Sequence, residues 1–445
     1  MQREILKRTV CEAVDRQADV IVEVGESIMD DPELGFKEER TAQRVKRIFE
    51  RANLDYKSEL ALTGVMASLR SSRTGPTVAL MGELDALVVP DHPRAATDTG
   101  AAHACGHNAQ IAGLMGAALA LTEAGVIEHL CGNIVFLAVP AEEYVEIDYR
   151  LKLVREGKTS FMAGKPELVH LGVLDDIDMA VMIHSGSVDT IDGCMGVSSS
   201  SNGFLAKSVR FVGSASHAGV APERGINALN AAQLSLAAIN AQRETFRDSD
   251  CIRVHPILTK GGDLVNIVPS ETRLETYVRG RTHEAVIEAS AKVDRAFRGA
   301  AVSMGCKVEI ETVPGYLPLI NDSGLTEIFK ENAARLFGAD SYRDYPHSGG
   351  STDAGDLSQL MPVLHPVMTG AKGSAHASDW HIADRNSGYL APAKTLAMMA
   401  IDLLANEAVN GLRIIQDHRP ALTKEAYLQQ QKALFRTELF DGGKV

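Results

Sequence analysis

The sequence lacks the features of proteins that bind nucleic acid or membranes. Its net charge is -13 and its basic residues are scattered, so it offers no cationic surface for a phosphate backbone or an anionic bilayer. The longest weakly polar stretch, residues 111–121, is too short to cross a bilayer. The charged N-terminal residues lack the apolar run of a signal peptide. We therefore predict a cytoplasmic protein with neither nucleic acid nor a membrane as its partner.

Other informative motifs are missing as well. The six cysteines lie far apart, which is typical of a reducing compartment and not of a disulfide framework. The tripeptide Gly157-Lys158-Thr159 lacks the earlier glycine that a phosphate-binding loop requires. No Gly-x-Ser-x-Gly segment occurs, so a serine hydrolase has no support. The sequence thus favours neither nucleotide binding nor serine-based hydrolysis.

The pattern of the first half predicts an α/β fold. Helix-like and strand-like segments alternate there, which is typical of a mixed, mostly parallel sheet flanked by helices. Apolar runs at residues 77–81, 133–139 and 179–183 are typical of buried strands. With 445 residues, the chain is longer than one hydrophobic core usually organises, so we expect two domains.

A change of pattern near residue 198 marks the second domain. A serine-rich, turn-prone segment is followed there by strand patterns, one long helix and further strand patterns. We therefore predict a catalytic domain made of residues 1–197 and 315–445, with an α+β domain inserted at residues 198–314.

Candidate metal ligands stand where strand patterns end or a helix pattern begins. The segment His103-Ala-Cys105-Gly-His107 precedes an Ala/Gly-rich helix pattern, and a thiolate and an imidazole so close in sequence can reach one metal centre. Glu142 and Glu143 directly follow an apolar run, and the repulsion between adjacent carboxylates is relieved when one of them binds a cation. One glutamate can therefore bind a metal while its neighbour acts as a base.

Three further polar residues extend this pattern. His184 directly follows the run at 179–183, His376 lies late in the chain, and Asp85 ends another strand pattern. Asp85 is placed to accept a hydrogen bond from a ligand imidazole. Each signal alone is more typical of a structural histidine or a solvated acidic turn. Their joint placement at one edge of one sheet predicts a metal site.

These segments resemble a known family of two-metal amidohydrolases and peptidases. It includes aminoacylase, carboxypeptidase G, bacterial aminobenzoyl-glutamate hydrolases and plant auxin-amino-acid conjugate hydrolases. The matching segments span nearly the whole chain and are, in order, Gly82-Glu-Leu-Asp85-Ala-Leu, His103-Ala-Cys-Gly-His107, Pro140-Ala-Glu-Glu143, Ser216-His217-Ala-Gly219, Asn266-Ile-Val-Pro269 and His376. Six such segments in this order are specific, and bacterial aminobenzoyl-glutamate hydrolases are the most similar members.

The resemblance implies a hydrolase-like catalytic domain that binds two divalent metal ions per subunit, zinc or manganese, with cobalt as a further option. The implied metal ligands are Cys105, His107, Glu143, His184 and His376. Glu142 is implied as the general acid/base and Asp85 as a support for the ligands.

The resemblance also assigns roles to the inserted domain, which forms a homodimer and acts as a lid. The histidine matching His217 usually reaches the partner subunit's site and polarises the scissile carbonyl, and the asparagine matching Asn266 helps to hold the substrate. Arg279 ends a strand pattern and is a candidate partner for a substrate carboxylate. An ordinary surface arginine is equally consistent with it.

The expected function is metal-dependent hydrolysis of the amide bond in a small N-acyl amino acid that has a free carboxylate. An aromatic acyl or aminobenzoyl group is the first choice, and a dipeptidase or an inactive metal-binding partner protein are the alternatives. Three departures concern the substrate. Asn108 replaces the aspartate of the conjugate hydrolases, and residues 88–99 have no clear family counterpart. Residues 351–356 replace the late Glu-Asp-Phe segment of the conjugate hydrolases and are similar to the second aminobenzoyl-glutamate hydrolase subunit and to dipeptidases related to it.

Overall fold

The computed structural model describes residues 2–191 and 195–444. The chain divides into two compact units, each built around its own main sheet. The first unit consists of Met1–Ser199, Ile320–Pro346 and Asp356–Ala421, and the second consists of Ser200–Leu319, His347–Gly355 and Leu422–Val445.

The α-helices of the described residues are α1 (Gln2–Arg16), α2 (Ala18–Met29), α3 (Glu39–Arg51), α4 (His107–Glu123), α5 (Ile147–Arg155), α6 (Gly164–His170), α7 (Ala228–Ala241), α8 (His283–Met304), α9 (Ser323–Phe337), α10 (Ala354–Ser358), α11 (Ala391–Asp417) and α12 (Lys424–Leu434). Helix α11 is interrupted by non-helical backbone at residues 405–408. No helix in residues 2–191 and 195–444 is both long enough and apolar enough to cross a bilayer.

The strands of the same residues are β1 (Tyr56–Leu60), β2 (Gly64–Arg70), β3 (Thr77–Glu83), β4 (Leu87–Val88), β5 (Ala101–Ala102), β6 (Asn133–Val139), β7 (Met179–Met182), β8 (His184–Ser187), β9 (Met195–Ser198), β10 (Gly203–Val212), β11 (Arg253–Lys260), β12 (Glu271–Gly280), β13 (Lys307–Pro314), β14 (Tyr342–Tyr345), β15 (Val363–Leu364), β16 (Val367–Lys372), β17 (His381–Ile382) and β18 (Arg436–Asp441).

The main sheet of the first unit has six strands in the order β1-β2-β6-β3-β7-β15. Strand β3 pairs in parallel with β6 and β7, and β15 pairs in parallel with β7. Strands β1 and β2 form an antiparallel edge. Beyond their first residues, β3 and β6 are buried throughout, as parallel strands covered on both faces must be. The predicted mixed, mostly parallel sheet is confirmed.

Helix α4 occupies the centre of the first unit, and every residue from its start to Leu121 is buried. It packs against β3 and against the helices α1, α2 and α11. Small side chains allow the helices to pack this closely. At Gly116 even a Cβ atom would clash, since it would lie 2.7 Å from Ala393 Cβ and 2.8 Å from Ile21 Cδ1. The Ala/Gly-rich composition of α4 therefore reflects close helix packing.

A smaller sheet completes the first unit. Its strands follow the order β14-β9-β16-β17, and β8 pairs with β16 in parallel. Strand β8 begins at His184, so this sheet holds one of the predicted metal ligands.

The second unit has a five-stranded antiparallel sheet in the order β11-β12-β10-β13-β18. Helices α7 and α8 pack against it, with Phe211 and Phe297 in the shared core. The sequence predicted one long helix here and missed α8, half of whose buried positions are alanines and so give a weak apolar pattern. Residues 422–445, grouped in sequence with the catalytic domain, supply α12 and β18 to this unit. The functional division at residues 198 and 314 stays a prediction.

A buried ion pair crosses the core of the second unit. The Lys207 Nζ atom lies 2.7 Å from Asp294 Oδ1 and donates to Thr312 Oγ1 at 2.9 Å. Arg436 donates to the other carboxylate oxygen of Asp294. These contacts link β10, α8, β13 and β18.

Candidate metal centre

Polar side chains gather at the carboxyl ends of the parallel strands. Glu83 is the last residue of β3, Glu142 and Glu143 follow β6, and His184 follows β7 after one intervening residue. Neighbouring parallel strands end at the same edge of a sheet, where open α/β sheets bind their ligands. The sheet topology therefore brings these residues together although they are far apart in sequence.

Cys105 and His107 reach the same place through the turn before α4. Gly106 has a positive φ of 92°, and a Cβ on it would lie 2.6 Å from Ser185 Cβ. Only glycine fits this turn without strain. The turn places Cys105 Sγ 3.4 Å from His184 Nε2.

The candidate ligands form two groups that share Cys105. Cys105, His107 and His184 make one group, and Cys105, Glu143 and His376 make the other, with all ligand atoms of a group within 4.8 Å of one another. The shared thiol is thus placed to contact two ions. All five predicted ligands lie in these two groups.

His376 enters the site from a loop after β16. Its backbone has a positive φ of 64°, which is uncommon for a residue with a side chain, and its N–H donates to Ala104 O at 2.8 Å. Its Nε2 atom lies 3.4 Å from Glu143 Oε1. About half of the imidazole is exposed, so this side of the site is open to solvent.

Two histidines of the cluster, the buried His107 and the half-buried His184, have fixed ring orientations. His107 Nδ1 lies 2.8 Å from Asp85 O and His184 Nδ1 lies 2.7 Å from Ser185 O. A carbonyl oxygen only accepts, so each Nδ1 must carry the proton and each Nε2 faces the cluster. Both rings are therefore set up to bind a cation through Nε2.

The buried polar atoms of this cluster fit a metal ion. His107 Nε2 and Glu143 Oε1 are buried without a hydrogen-bond partner among the described residues, and such groups are rarely left unsatisfied. Burial, with Glu143 nearby, raises the pKa of the Cys105 thiol. A cation within reach reverses that effect, because metal binding deprotonates a thiol.

Asp85 supports two of these side chains at once. Its Oδ2 atom accepts a hydrogen bond from the Glu143 N–H at 2.8 Å, and its main-chain oxygen holds the His107 ring. Its other carboxylate oxygen lies 3.4 Å from His107 Nδ1. The imidazole thus donates to the backbone of Asp85, whereas the carboxylate orients the glutamate.

Glu142 lies beside the cluster without belonging to either ligand group. Its Oε2 atom is 3.9 Å from His107 Nε2, and 8% of the residue is exposed. Together with Glu83 and His107 it forms a third group of possible ligand atoms. Its position allows its carboxylate to reach a water molecule bound at the cluster.

A buried ion pair that sequence reasoning missed lies next to His107. Lys165 Nζ is 2.6 Å from Glu83 Oε1, and Gln110 donates to Glu83 Oε2 at 2.7 Å. Burial alone would raise the pKa of Glu83, but Lys165 and His107 outweigh it and hold that pKa well below its usual range. Glu83 is therefore an anion 3.1 Å from His107 Nε2. Its position at the end of a strand pattern was the available signal, while Lys165 gave none.

Known proteins share this arrangement of segments. The model of the family described as peptidase family M20/M25/M40 matches residues 79–399. The chain belongs to this family. Its members are hydrolases that act on amide bonds, so the expected enzyme class and the resemblance seen in the sequence are confirmed.

This M20 protein is similar to relatives that differ in their substrates, as two curated proteins and one solved structure illustrate. The Xaa-Arg dipeptidase of Mus musculus is 28% identical and covers 91% of this chain and 90% of its own. The IAA-amino acid hydrolase ILR1-like 4 of Arabidopsis thaliana is 26% identical over 77% of this chain and 76% of its own. The Bacillus subtilis YXEP protein, a dinuclear metal binding peptidase from the M20 family, has a TM-score of 0.64 at 21% identity and covers 88% of this chain and 99% of its own. At that identity the structural match shows the fold.

The second unit holds the remaining predicted residues of this M20 enzyme. His217 and Asn266 lie on adjacent loops, because Ala218 N–H donates to Asn266 O at 2.9 Å. His217 Nδ1 accepts from the N–H groups of Gly219 and Val220, both at 3.1 Å. Its Nε2 atom must then carry the proton of a neutral ring. His217 is exposed and can donate to a ligand.

Arg279 has defined partners in the second unit. Its guanidinium carbon lies 5.3 Å from the centre of the Phe204 ring and 5.4 Å from that of Tyr277. Its Nη1 atom donates to Ser351 Oγ at 2.8 Å. Aromatic contacts of this kind orient an arginine, and residues 351–356 were singled out in the sequence as a departure from the conjugate hydrolases.

Two other departures have structural explanations. Asn108 donates from Nδ2 to Gly25 O at 3.1 Å and to Tyr389 Oη at 3.3 Å, so it supports helix packing. Residues 88–99 pack in part beside Cys105, since Val89 belongs to the same hydrophobic cluster as Cys105 and Trp380 and His92 Nε2 lies 2.8 Å from Trp380 O.

Proposed function

We propose that this M20 hydrolase binds two divalent metal ions and cleaves the amide bond of a small N-acyl amino acid with a free carboxylate. One observation carries this proposal: two ligand groups share Cys105. One group contains His107 Nε2 and the other contains Glu143 Oε1, and both atoms are buried without a hydrogen-bond partner among the described residues. His107 and His184 would hold one ion, and Glu143 and His376 the other. The thiol favours zinc, whereas imidazole and carboxylate ligands also accept manganese or cobalt.

The chain's own groups supply the proton transfers. When bound, divalent ions act as Lewis acids and lower the pKa of water toward neutrality. Glu142 lies beside the ligand cluster and takes the proton of the attacking water, then delivers it to the departing amine. Asp85 keeps Glu143 in place through the hydrogen bond to its N–H.

We also propose that the protein is a homodimer in which the inserted domain supplies a second set of groups. The proton of a neutral His217 ring is on Nε2, because its Nδ1 accepts from two backbone N–H groups. It would donate to the carbonyl oxygen of a substrate bound by the partner subunit, where a preorganised donor contributes roughly 3 to 4 kcal/mol to the transition state. Asn266, on the adjacent loop, would hold the substrate, and Arg279 would pair with its carboxylate.

A dipeptide is the second candidate substrate. The Xaa-Arg dipeptidases of mouse and human match 91% and 96% of this chain, more than the 77% matched by the plant conjugate hydrolase described above. The two candidates differ in one group, since a dipeptide has a free α-amine where an N-acyl amino acid has none. The aromatic acyl and aminobenzoyl conjugates remain the first choice among blocked substrates.

The test uses matched pairs of substrates that differ only in that amine. Metal-reconstituted protein is incubated with N-acyl amino acids and with dipeptides that have the same C-terminal residue, and the released amino acid is measured. Metal content is measured on the same sample. Release from blocked members, and none from the unblocked ones, supports the amidohydrolase; the reverse supports the dipeptidase.

Two variants separate the proposed base from general damage. Glu142→Gln keeps the shape of the side chain but cannot take a proton, so we expect at least a ~100-fold loss of kcat. Glu146 lies on the same loop, and its carboxylate pairs with Lys37 Nζ at 2.8 Å. We expect the Glu146→Gln variant to retain activity. Full activity of Glu142→Gln, with two metals bound, would contradict the proposed mechanism.

A further inference from the structure

The backbone that carries Glu142 has an unusual conformation. Ala141, between Pro140 and Glu142, has a positive φ of 54°, a region that residues with a Cβ rarely occupy. Such a conformation persists only where the surroundings impose it, and functional sites are one place where it recurs. The residues that hold this peptide in place are therefore of interest for the reaction.

Glu38 holds one side of Ala141. The residue is fully buried, and its Oε1 atom accepts a hydrogen bond from the Ala141 N–H at 2.8 Å. Its Oε2 atom accepts from Thr63 Oγ1 at 2.6 Å. With one oxygen held by Thr63 and the other on Ala141, the carboxyl group has a fixed orientation.

Arg150 holds the opposite side from helix α5. Its guanidinium is almost fully buried, and Nη1 donates to Ala141 O at 3.1 Å and to Met162 O at 2.6 Å. Its Nη2 atom donates to Glu143 O. A single planar group thus binds the carbonyl oxygens before and after Glu142.

The segment that carries Glu38 is shaped to lie against this backbone. A Cβ on Gly35 would stand 2.4 Å from Arg150 Nη2 and 2.9 Å from Ala141 Cα, so only glycine allows the approach. The Phe36 ring lies 5.4 Å from the guanidinium carbon of Arg150. Residues 35–38 were not singled out in the sequence, yet they pack against Ala141 and Arg150 beside the proposed base.

We propose that Glu38 and Arg150 are positioning residues that fix the backbone of Glu142 in the conformation its carboxylate needs to act as a base. This inference rests on the proposed function of Glu142. Glu38 acts through the Ala141 N–H, and Arg150 acts through the carbonyl oxygens of Ala141 and Glu143, so the hydrogen bonds of both side chains to this loop go to its backbone. Because a displacement of about 1 Å can cost about 100-fold in rate, the loss of either clamp lowers kcat while the metals stay bound.

The chain offers a matched control on the same segment. Glu33 is also buried, and its Oε2 atom accepts from the Thr41 N–H at 2.8 Å and from Thr41 Oγ1 at 3.0 Å. It therefore caps the start of α3, and its side-chain hydrogen bonds go to Arg40 and Thr41. Glu33→Ala reports the cost of removing a buried carboxylate from this segment without releasing the loop.

The experiment compares Glu38→Ala, Glu38→Gln and Glu33→Ala in kcat, KM, metal content and melting temperature. We expect Glu38→Ala to lower kcat by about 10- to 100-fold, with KM changed less than kcat and two metals still bound. Glu38→Gln keeps one side-chain oxygen as an acceptor and should recover part of kcat. Glu33→Ala should lower the melting temperature but keep kcat near the wild-type value.

Amide hydrogen exchange supplies a readout that does not depend on activity. Exchange in residues 139–145 should rise in Glu38→Ala and not in Glu33→Ala. Equal kcat values for Glu38→Ala and Glu33→Ala, or equal exchange in this segment, would overturn the positioning role. If wild type cleaves no substrate, or Glu142→Gln is fully active, the proposed function itself fails, whereas unequal exchange would still show that Glu38 holds the loop.

Discussion

Replacing Asp85 by alanine tests how the ligand cluster is held together. Asp85 is fully buried, and its Oδ2 atom is the acceptor for the Glu143 N–H at 2.8 Å. The substitution leaves that buried N–H unsatisfied, which costs about 1–3 kcal/mol. The His107 ring keeps its partner, because that bond goes to the main-chain oxygen of residue 85. Most of the cost should therefore fall on Glu143 and on the ion it binds.

This cost predicts a specific change in metal affinity. At about 1.4 kcal/mol for each factor of ten, the variant should bind the ion held by Glu143 about 10- to 100-fold more weakly, the range seen for residues that orient metal ligands. Competition with a chromophoric chelator of known affinity measures it. Asp85→Asn keeps an acceptor for the Glu143 N–H and should lose less. A folded Asp85→Ala protein with wild-type affinity would refute the reasoning.

Three further predictions concern the shared ligand, the bound metals and the packing of two helices. Cys105→Ala should weaken the binding of both ions, because the Cys105 thiol belongs to both ligand groups. His376→Ala should still bind one ion, and mass spectrometry of the metal content of each variant measures the difference. Removing the metals with a chelator should lower the melting temperature, since ions present at about 1,000 times their Kd stabilise the folded state by about 4 kcal/mol; an unchanged temperature would contradict a bound-ion site. Gly116→Ala should destabilise the protein by about 1–3 kcal/mol through overpacking. Gly299→Ala in α8 should stabilise it by about 0.5–1 kcal/mol, because nothing lies within 4 Å of the new Cβ. Urea unfolding measures both changes.

The sequence predicted best what depends on continuous patterns. The apolar runs of β3, β6 and β7 were recognisable because parallel strands are buried on both faces. The placement of Glu143 and His184 follows from those strands, since both residues lie shortly after the carboxyl ends of strands in one sheet. This is why the ligand cluster could be expected before its geometry was known.

The residues that were missed are buried charges whose partners are distant in sequence. Lys165 pairs with Glu83 across 82 positions, and Glu38 bonds to Ala141 across 103. In a sequence such residues look like solvated surface charges, because nothing local distinguishes them. Strand β18 was missed for a related reason, since its side chains are exposed or half-buried and its partner β13 lies far earlier in the chain.

The pairing of β18 with β13 also affects how the protein is made. Strand β13 emerges from the ribosome long before residues 436–441 exist, so its outer backbone N–H and C=O groups have no partner strand during that interval. Open strand edges pair readily with other chains, and partly folded intermediates with such edges aggregate. This edge of β13 therefore stays open to other chains until residues 436–441 are translated and pair with it.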